Sequence, residues 1–323
     1  MPTAPPERVT PPFAPGSVSL RLYPHNELPA PEVASTLVAE AVLAEAVGFA
    51  GLMVSEHHGG FAGYLPDPVQ TAAHLAASTR ACFVAPAPVL LGLRPPALLA
   101  EEIAWMSARH PGRIGLGVAA GALPLDFTAM DVDPDDAVPR FLAGLPRVAA
   151  MLRGEELGDL AGDPALAHCA THPVPVVSAA VSPTAGRRAA TTGVGLLLES
   201  MSTIERQRAV VDAFRESGGT GPVVAIRRVW LGAPPTDAMA DQRAVYAGYA
   251  ASGAQAHWGA TDTLVADDAT ELAAAIDRST AAVGADCVNL RVHLPGVGPD
   301  AVRRQIERLG EVLDVLRRTG STT

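Results

Sequence analysis

Residues 50–58 read AGLMVSEHH, and residues 67–78 read DPVQTAAHLAAS. The first five apolar or small positions are too few for a helix and suit a fully buried strand, which then breaks into the polar run Glu56-His57-His58. In the second stretch Asp67 fits an N-cap and Pro68 the first helical position, with apolar residues following at helical spacing. Together they predict one strand–helix unit. Upstream, residues 17–23 form a second short apolar run that ends at His25 and Asn26. Residues 32–47 carry helical periodicity, and Gly48 sits where a C′ glycine belongs.

The alternation continues downstream. A proline-interrupted strand over 82–91 precedes a helix over about 96–109, and a strand over 113–119 precedes a helix over about 136–153. Residues 154–173 read as a loop. Strands over 174–180, 194–198 and 223–231 are each followed by a helix, the first opening at Ser182-Pro183 and the last running to about 250. A Gly-containing connection over 251–261 leads to a helix over 270–283, a strand over 287–294 and a closing helix over 299–318. Eight such units with no compositional break favour a single (β/α)8 TIM barrel over residues 17–320, since right-handed βα units close readily. An eight-stranded, doubly wound open sheet is the alternative. Residues 1–16, with six prolines, read as a loose N-terminal arm.

The composition narrows the function. Of 323 residues, 48% are hydrophobic and 18% charged, which excludes global disorder. The net charge of −10, with all 24 basic residues arginine and no basic block, argues against nucleic acid and anionic membranes as partners. Three scattered cysteines without a CxxC point to a reducing, cytoplasmic setting and not to a disulfide scaffold or zinc finger. No apolar run is long enough to span a bilayer.

A barrel carries its site where the strands end, so the candidates are the residues at those ends. They include His25, the Glu56-His57-His58 run, the Ala87-Pro88 turn, Ala120, Ser182 with Thr184, Arg228, Arg291 and His293. Successive residues leaving a strand point opposite ways, so only one of His57 and His58 is expected to face the barrel mouth, where an imidazole can move a proton near neutral pH. A metal site is not expected, because no His or Cys recurs at chelating spacing. Ser182-Pro183-Thr184 suits a helix start whose amides bind an anion, and Arg187 and Arg188, unfavourable to the helix dipole in its first turns, fit an anion there; a plain Ser-Pro helix start explains the same residues. Gly115-Leu-Gly117 imitates a dinucleotide fingerprint, but both glycines lie inside the strand, where they serve close approach of neighbouring groups.

Residues 48–80 (GFAGLMVSEHHGGFAGYLPDPVQTAAHLAASTR), 99–121 (LAEEIAWMSARHPGRIGLGVAAG) and 125–133 (LDFTAMDVD) resemble the bacterial luciferase-like flavin-dependent monooxygenases in order and spacing, and residues 289–317 resemble that family's last βα unit. The resemblance implies a TIM barrel that binds reduced FMN at the strand C-termini and uses O2 to oxygenate a small to medium organic, apolar or polyketide-like substrate. It implies a catalytic group of His57, Glu56 and His58, with His57 as the acid/base residue beside the flavin. It places a cis peptide under the ring at Ala87-Pro88, where proline makes the cis form cheap. Ser182, Thr184 and Arg187 would hold the phosphate, while His25, Arg228, Arg291 and His293 would contact substrate or flavin. Ala120 stands where relatives often carry a phosphate-binding arginine, Val181 replaces an acidic residue, and the HPxR motif has become Arg94-Pro95-Pro96-Ala97-Leu98. Such losses suit a two-component enzyme that receives reduced FMN from a flavin reductase. Hydride transfer with the deazaflavin F420, and a flavin-free binding role, are the alternatives. A homodimer is implied as well, with the helix faces at 72–77 and 100–106 as candidate contacts.

Overall fold

A computed structural model of the protein describes residues 9–59, 64–249, 255–259 and 263–320. Its strands are parallel and follow one another around a ring. β1 (Val18–Arg21) pairs with β2 (Gly51–Val54), and β2 with β3 (Phe83–Pro86). The chain turns at a cis Ala87-Pro88 bond and resumes as β4 (Val89–Leu90), which pairs with β5 (Leu116–Ala119). β6 (Val176–Ala179), β7 (Gly195–Leu198), β8 (Val223–Leu231) and β10 (Cys287–Arg291) continue the ring back to β1. A parallel bridge between Val84 and Ile114 closes the remaining gap. β3 and β4 are thus two parts of one crooked strand, and the expected eight-stranded barrel is the observed architecture.

Two glycines of the strand-five run make room, one for that crooked strand and one for the N-terminal segment. A Cβ on Gly117 would lie 2.5 Å from the Ala87 Cβ, and one on Gly115 would meet the Phe13 ring at 2.8 Å. Both positions serve close approach, although only Gly117 lies inside the observed strand and Gly115 precedes it.

Helices form where caps and periodicity place them. Asp67 accepts the amides of Val69 and Gln70 at the start of α2 (Pro68–Ser78), and Gly48, at φ 101°, ends α1 (Ala30–Val47). α3 (Pro96–Arg109) buries Leu99, Ala100 and Ile103, and α2 buries Ala72 and Leu75, while Ala77 and Trp105 of the same segments are exposed. The main core lies between sheet and helices, and each buried Leu, Ile or Phe contributes about 1.5–3 kcal/mol. A second cluster fills the barrel interior, from Phe13 and Phe83 at the N-terminal end to Ala87 and Leu197.

Three segments depart from the sequence reading. Residues 9–16 are not loose: Phe13 is buried edge-on against Phe83, and the Gly16 amide donates to Asp286 O. Residues 1–8 of the expected arm lie outside the described residues. The expected loop over 154–173 contains a short helix, Pro164–His168, capped by Asp163, which also accepts the Trp105 indole N–H at 3.0 Å. After the connection expected at 251–261, which lies mostly outside the described residues, β9 (Thr263–Ala266) pairs with the end of β8 outside the ring. Four residues carry too little period-2 pattern to announce a strand. No described helix is long and apolar enough to cross a membrane.

Candidate active site

All eight barrel strands contribute to one cavity of about 410 Å³ at their C-terminal ends. Arg21 closes β1, Ser55 to His57 follow β2, and Pro88 and Leu90 flank the cis bond. Ala119 and Ala120 end β5, and Ala179 and Val181 mark β6. Leu197 and Glu199 come from β7, Ile226 and Arg228 from β8, and Arg291 from β10. The lining is mostly apolar, with polar groups at a few points, the usual make-up of a small-molecule site.

His57 is the histidine that faces this cavity. Its Nδ1 lies 2.8 Å from Asp126 Oδ2, and Asp126 Oδ1 accepts the His58 amide at 2.7 Å. Asp126 is fully buried in a short helix, α4 (Pro124–Thr128). A carboxylate at Nδ1 assigns the proton to that nitrogen and leaves Nε2 as the proton-accepting one. The Tyr64 ring packs edge-on against the imidazole at 4.4 Å.

His58 turns the other way. Its Nε2 bonds Glu56 Oε1 at 2.9 Å, and that hydrogen bond raises its pKa above the ordinary value against the opposing effect of burial. Glu56 reaches the cavity wall, but Oε2 accepts the Leu90 amide at 2.7 Å and Arg94 lies 3.6 Å from Oε1. Glu56 and His58, expected as catalytic, are therefore engaged with each other and with the strand end, while His57 is the histidine presented to the cavity.

The Ser182-Pro183 helix start is present at the rim. Ser182 caps α5 (Pro183–Thr192) by accepting the Ala185 amide at 3.3 Å. The cavity lining includes Val181 but not Ser182, Thr184 or Arg187, so the turn adjoins the cavity without lining it. Arg187 reaches back to Thr184 Oγ1 at 3.4 Å on the exposed side. Arg206, which the sequence did not single out, donates to Val181 O at 3.1 Å and brings a guanidinium to this turn.

Opposite lies an arginine–tyrosine wall. The Arg291 guanidinium sits 4.0 Å from the Tyr23 ring centre and donates to Tyr246 OH at 2.8 Å, and Tyr246 OH lies 2.7 Å from Tyr64 OH. Arg228 lies 5.0 Å from the Tyr246 ring centre. Burial alone would raise the Tyr246 pKa, but the charges of Arg291 and Arg228 bring it below the ordinary phenol value. Burial raises that of Tyr64. His25 and His293 stand behind this wall, outside the cavity lining. His25 is held by Glu27 at 3.1 Å and Glu40 at 3.0 Å; burial opposes its charging, but these two bonds carry its pKa above the ordinary value. His293 stacks on Tyr23, and burial, then the charges of Arg291 and His25, hold it well below its usual range.

The structure therefore brings His57, Glu56, Pro88, Ala120, Arg228 and Arg291 to one cavity. It puts Ala87 just beneath the lining and His58, His25 and His293 behind it. Sequence reasoning passed over Asp126, Arg21, Tyr23, Tyr64, Tyr246 and Arg206. Asp126 lay within the quoted 125–133 segment, and Arg21 ends a predicted strand, so position alone offered a signal for those two. No group of three or more described His, Cys, Asp or Glu residues is arranged to hold a metal.

The profile of the luciferase-like monooxygenase family matches residues 16–289. The chain belongs to that family. Among curated relatives, an uncharacterised protein of Sinorhizobium fredii, y4wF, is 27% identical over 216 residues, covering 64% of this chain and 62% of its own length. Among solved structures, the monooxygenase RslO1 from Streptomyces bottropensis superposes with a TM-score of 0.73 at 23% identity, covering 92% of this chain and 98% of its own. An F420-dependent secondary alcohol dehydrogenase, solved with an F420–acetone adduct, gives 0.69 at 18% identity, covering 93% and 99%. The oxygenating constituent of the 3,6-diketocamphane monooxygenase of Pseudomonas putida, a type II Baeyer-Villiger enzyme solved with FMN, gives 0.67 at 17% identity, covering 91% and 97%. These likenesses show a shared fold between this luciferase-like chain and flavin as well as deazaflavin enzymes.

Proposed function

We propose that the protein is a two-component monooxygenase that takes reduced FMN from a separate flavin reductase and oxygenates a small to medium organic substrate. The observation that carries this reading is the buried Asp126 carboxylate 2.8 Å from His57, on the wall of a mostly apolar cavity at the strand C-termini. The residues present fit a flavin. The Pro88, Leu90 and Ala120 surface is apolar and small enough for a flat ring to lie against, and a Ser182-capped helix start with Arg206 beside it stands at the rim for a phosphate. Family membership, and the fold shared with an FMN complex, support the same group.

Reduced flavin, when bound, supplies the electrons that activate O2. The chain does the rest. Pro88 and Leu90 present an apolar surface that keeps water from the ring. His57 Nε2 takes or returns a proton beside the reacting atoms, and Asp126 holds the imidazole in that tautomer and stabilises its protonated form. In this reading the enzyme works as a homodimer in the cytoplasm, consistent with three buried free thiols.

Anaerobic titration with reduced FMN tests the proposal. Binding in the micromolar range, lowered activity in His57→Ala and a requirement for added reductase would support it. Absence of binding at millimolar concentration would overturn it and favour a flavin-free role. Binding of F420 in preference to FMN would move the protein to the hydride-transferring branch, a reading supported by the fold it shares with the F420-dependent dehydrogenase.

A further inference from the structure

Arg21 and Arg291 end neighbouring strands. Leu20 pairs with Leu290 in the β1–β10 register, so the two arginines stand side by side one residue further on. Both line the cavity and are only 3–4% exposed. Their internal bonds leave a matching remainder. Arg21 donates through Nε to Asn289 Oδ1 at 2.8 Å and through Nη1 to Ala87 O at 2.7 Å, and Nη2 has no acceptor. Arg291 donates through Nε to His293 O at 3.3 Å and through Nη1 to Tyr246, and Nη2 has no acceptor.

Among the described residues no carboxylate forms an ion pair with either. The two acidic groups on the cavity wall are engaged elsewhere: Glu56 with His58 and the Leu90 amide, and Glu199 with the amides of Met201 and Ser202. Two like charges buried together without a carboxylate counter-ion are costly: burial, helped by the charge of Arg291, lowers the Arg21 pKa, although burial is outweighed at Arg291 by the tyrosines around it. Such an arrangement persists most readily where a ligand brings the missing negative charge. A planar guanidinium fork suits an oxyanion in particular. The Tyr23 and Tyr64 rings beside the fork, and Ile226 and Met201 across the cavity, suit a flat and largely apolar body.

We propose that Arg21 and Arg291 form the recognition end of the substrate cavity, and that its ligand is a planar, mostly apolar organic anion presenting a deprotonated oxygen (carboxylate, phenolate or enolate). This names the substrate class for the same cavity. It rests on the proposed function only for the statement that the bound anion is then oxygenated.

The test uses 2-naphthoate and its neutral methyl ester as probes, titrated calorimetrically into the full chain without flavin and again with FMN present. The expected result is that naphthoate binds at least about tenfold more tightly than the ester, and that Arg291→Met abolishes the preference while the variant keeps its circular dichroism and melting transition. Inorganic phosphate at equal ionic strength should not displace naphthoate, and FMN should leave its affinity unchanged. Equal binding of acid and ester by the unaltered protein overturns the proposal without need of any variant. Displacement by phosphate, or loss of naphthoate binding when FMN is present, also overturns it by assigning the arginines to the cofactor. Failure of FMN to bind at all would sink the monooxygenase reading but leave the naphthoate preference standing, so the two failures are distinguishable.

Discussion

Asp126 Oδ2 lies 2.8 Å from His57 Nδ1, while its other oxygen accepts the His58 amide. One buried carboxylate thus fixes the ring and the backbone of the segment that carries it. In Asp126→Asn the side-chain NH2 would donate to Nδ1, driving the ring proton to Nε2 and removing the base from the cavity side. The expected outcome is a fall in kcat on the order of a hundredfold, with the affinity for reduced FMN unchanged. Steady-state kinetics across pH, with anaerobic titration, checks it. A pH profile that keeps its shape at full rate would remove His57 from the chemistry.

Arg206 donates to Val181 O beside the Ser182 cap, near the place left without an arginine at Ala120. Its charge should act on the phosphate of FMN and not on the ring. Arg206→Ala is expected to weaken FMN binding about three- to tenfold at low salt and to leave riboflavin affinity as it was, because a partly exposed pair contributes modestly and is screened. Fluorescence titration with both flavins at two ionic strengths decides the point. Equal weakening of both would show that Arg206 supports the turn and does not meet the phosphate.

Local signals carried the barrel. Asp67 and Gly48 mark helix ends by chemistry that acts over a few residues, and both cap as read. The alternation of side chains along an extended segment likewise separates His57 from His58, though not which of the two faces inward. What the sequence concealed depends on distance along the chain. Asp126 meets His57 across 69 residues, and Arg291 meets Tyr64 and Tyr246 from segments far apart in the chain, so no spacing rule links them. Phe13 was hidden by its proline-rich neighbours, whose composition reads as a tail although its ring fills the end of the barrel.

His293 gives a pH dependence of known sign. Burial and the charges of Arg291 and His25 hold its folded pKa well below the 6.5 of the unfolded chain. Below pH 6.5 the unfolded chain therefore binds a proton that the folded one refuses, and stability is lost as pH falls through that value. His25 and His58, whose pKa values are raised, act in the opposite sense: they add stability at low pH that is lost as pH rises. The difference between His293→Gln and the unaltered protein isolates one group. Urea melts between pH 7 and 5 should show the variant losing less stability, by up to about 1.4 kcal/mol per pH unit. Parallel curves would mean that His293 titrates normally.

Phe13 is 1% exposed and touches Phe83 at a ring-centre distance of 5.5 Å, at the end of the barrel away from the cavity. Its backbone adopts φ 59°, a left-handed conformation that disfavours any residue with a Cβ. The ring therefore holds a strained turn in place, and two variants separate the contributions. Phe13→Ala removes the ring but keeps the Cβ penalty, with an expected cost of about 3–5 kcal/mol. Phe13→Gly removes both, so its cost should be smaller by about 1 kcal/mol despite the extra freedom of the unfolded chain. Because the plug and the cavity lie at opposite ends, FMN affinity measured at low temperature should be unchanged in both variants. A glycine variant less stable than the alanine one would refute the strained turn, and a loss below about 1 kcal/mol in both would show that the barrel closes without its plug.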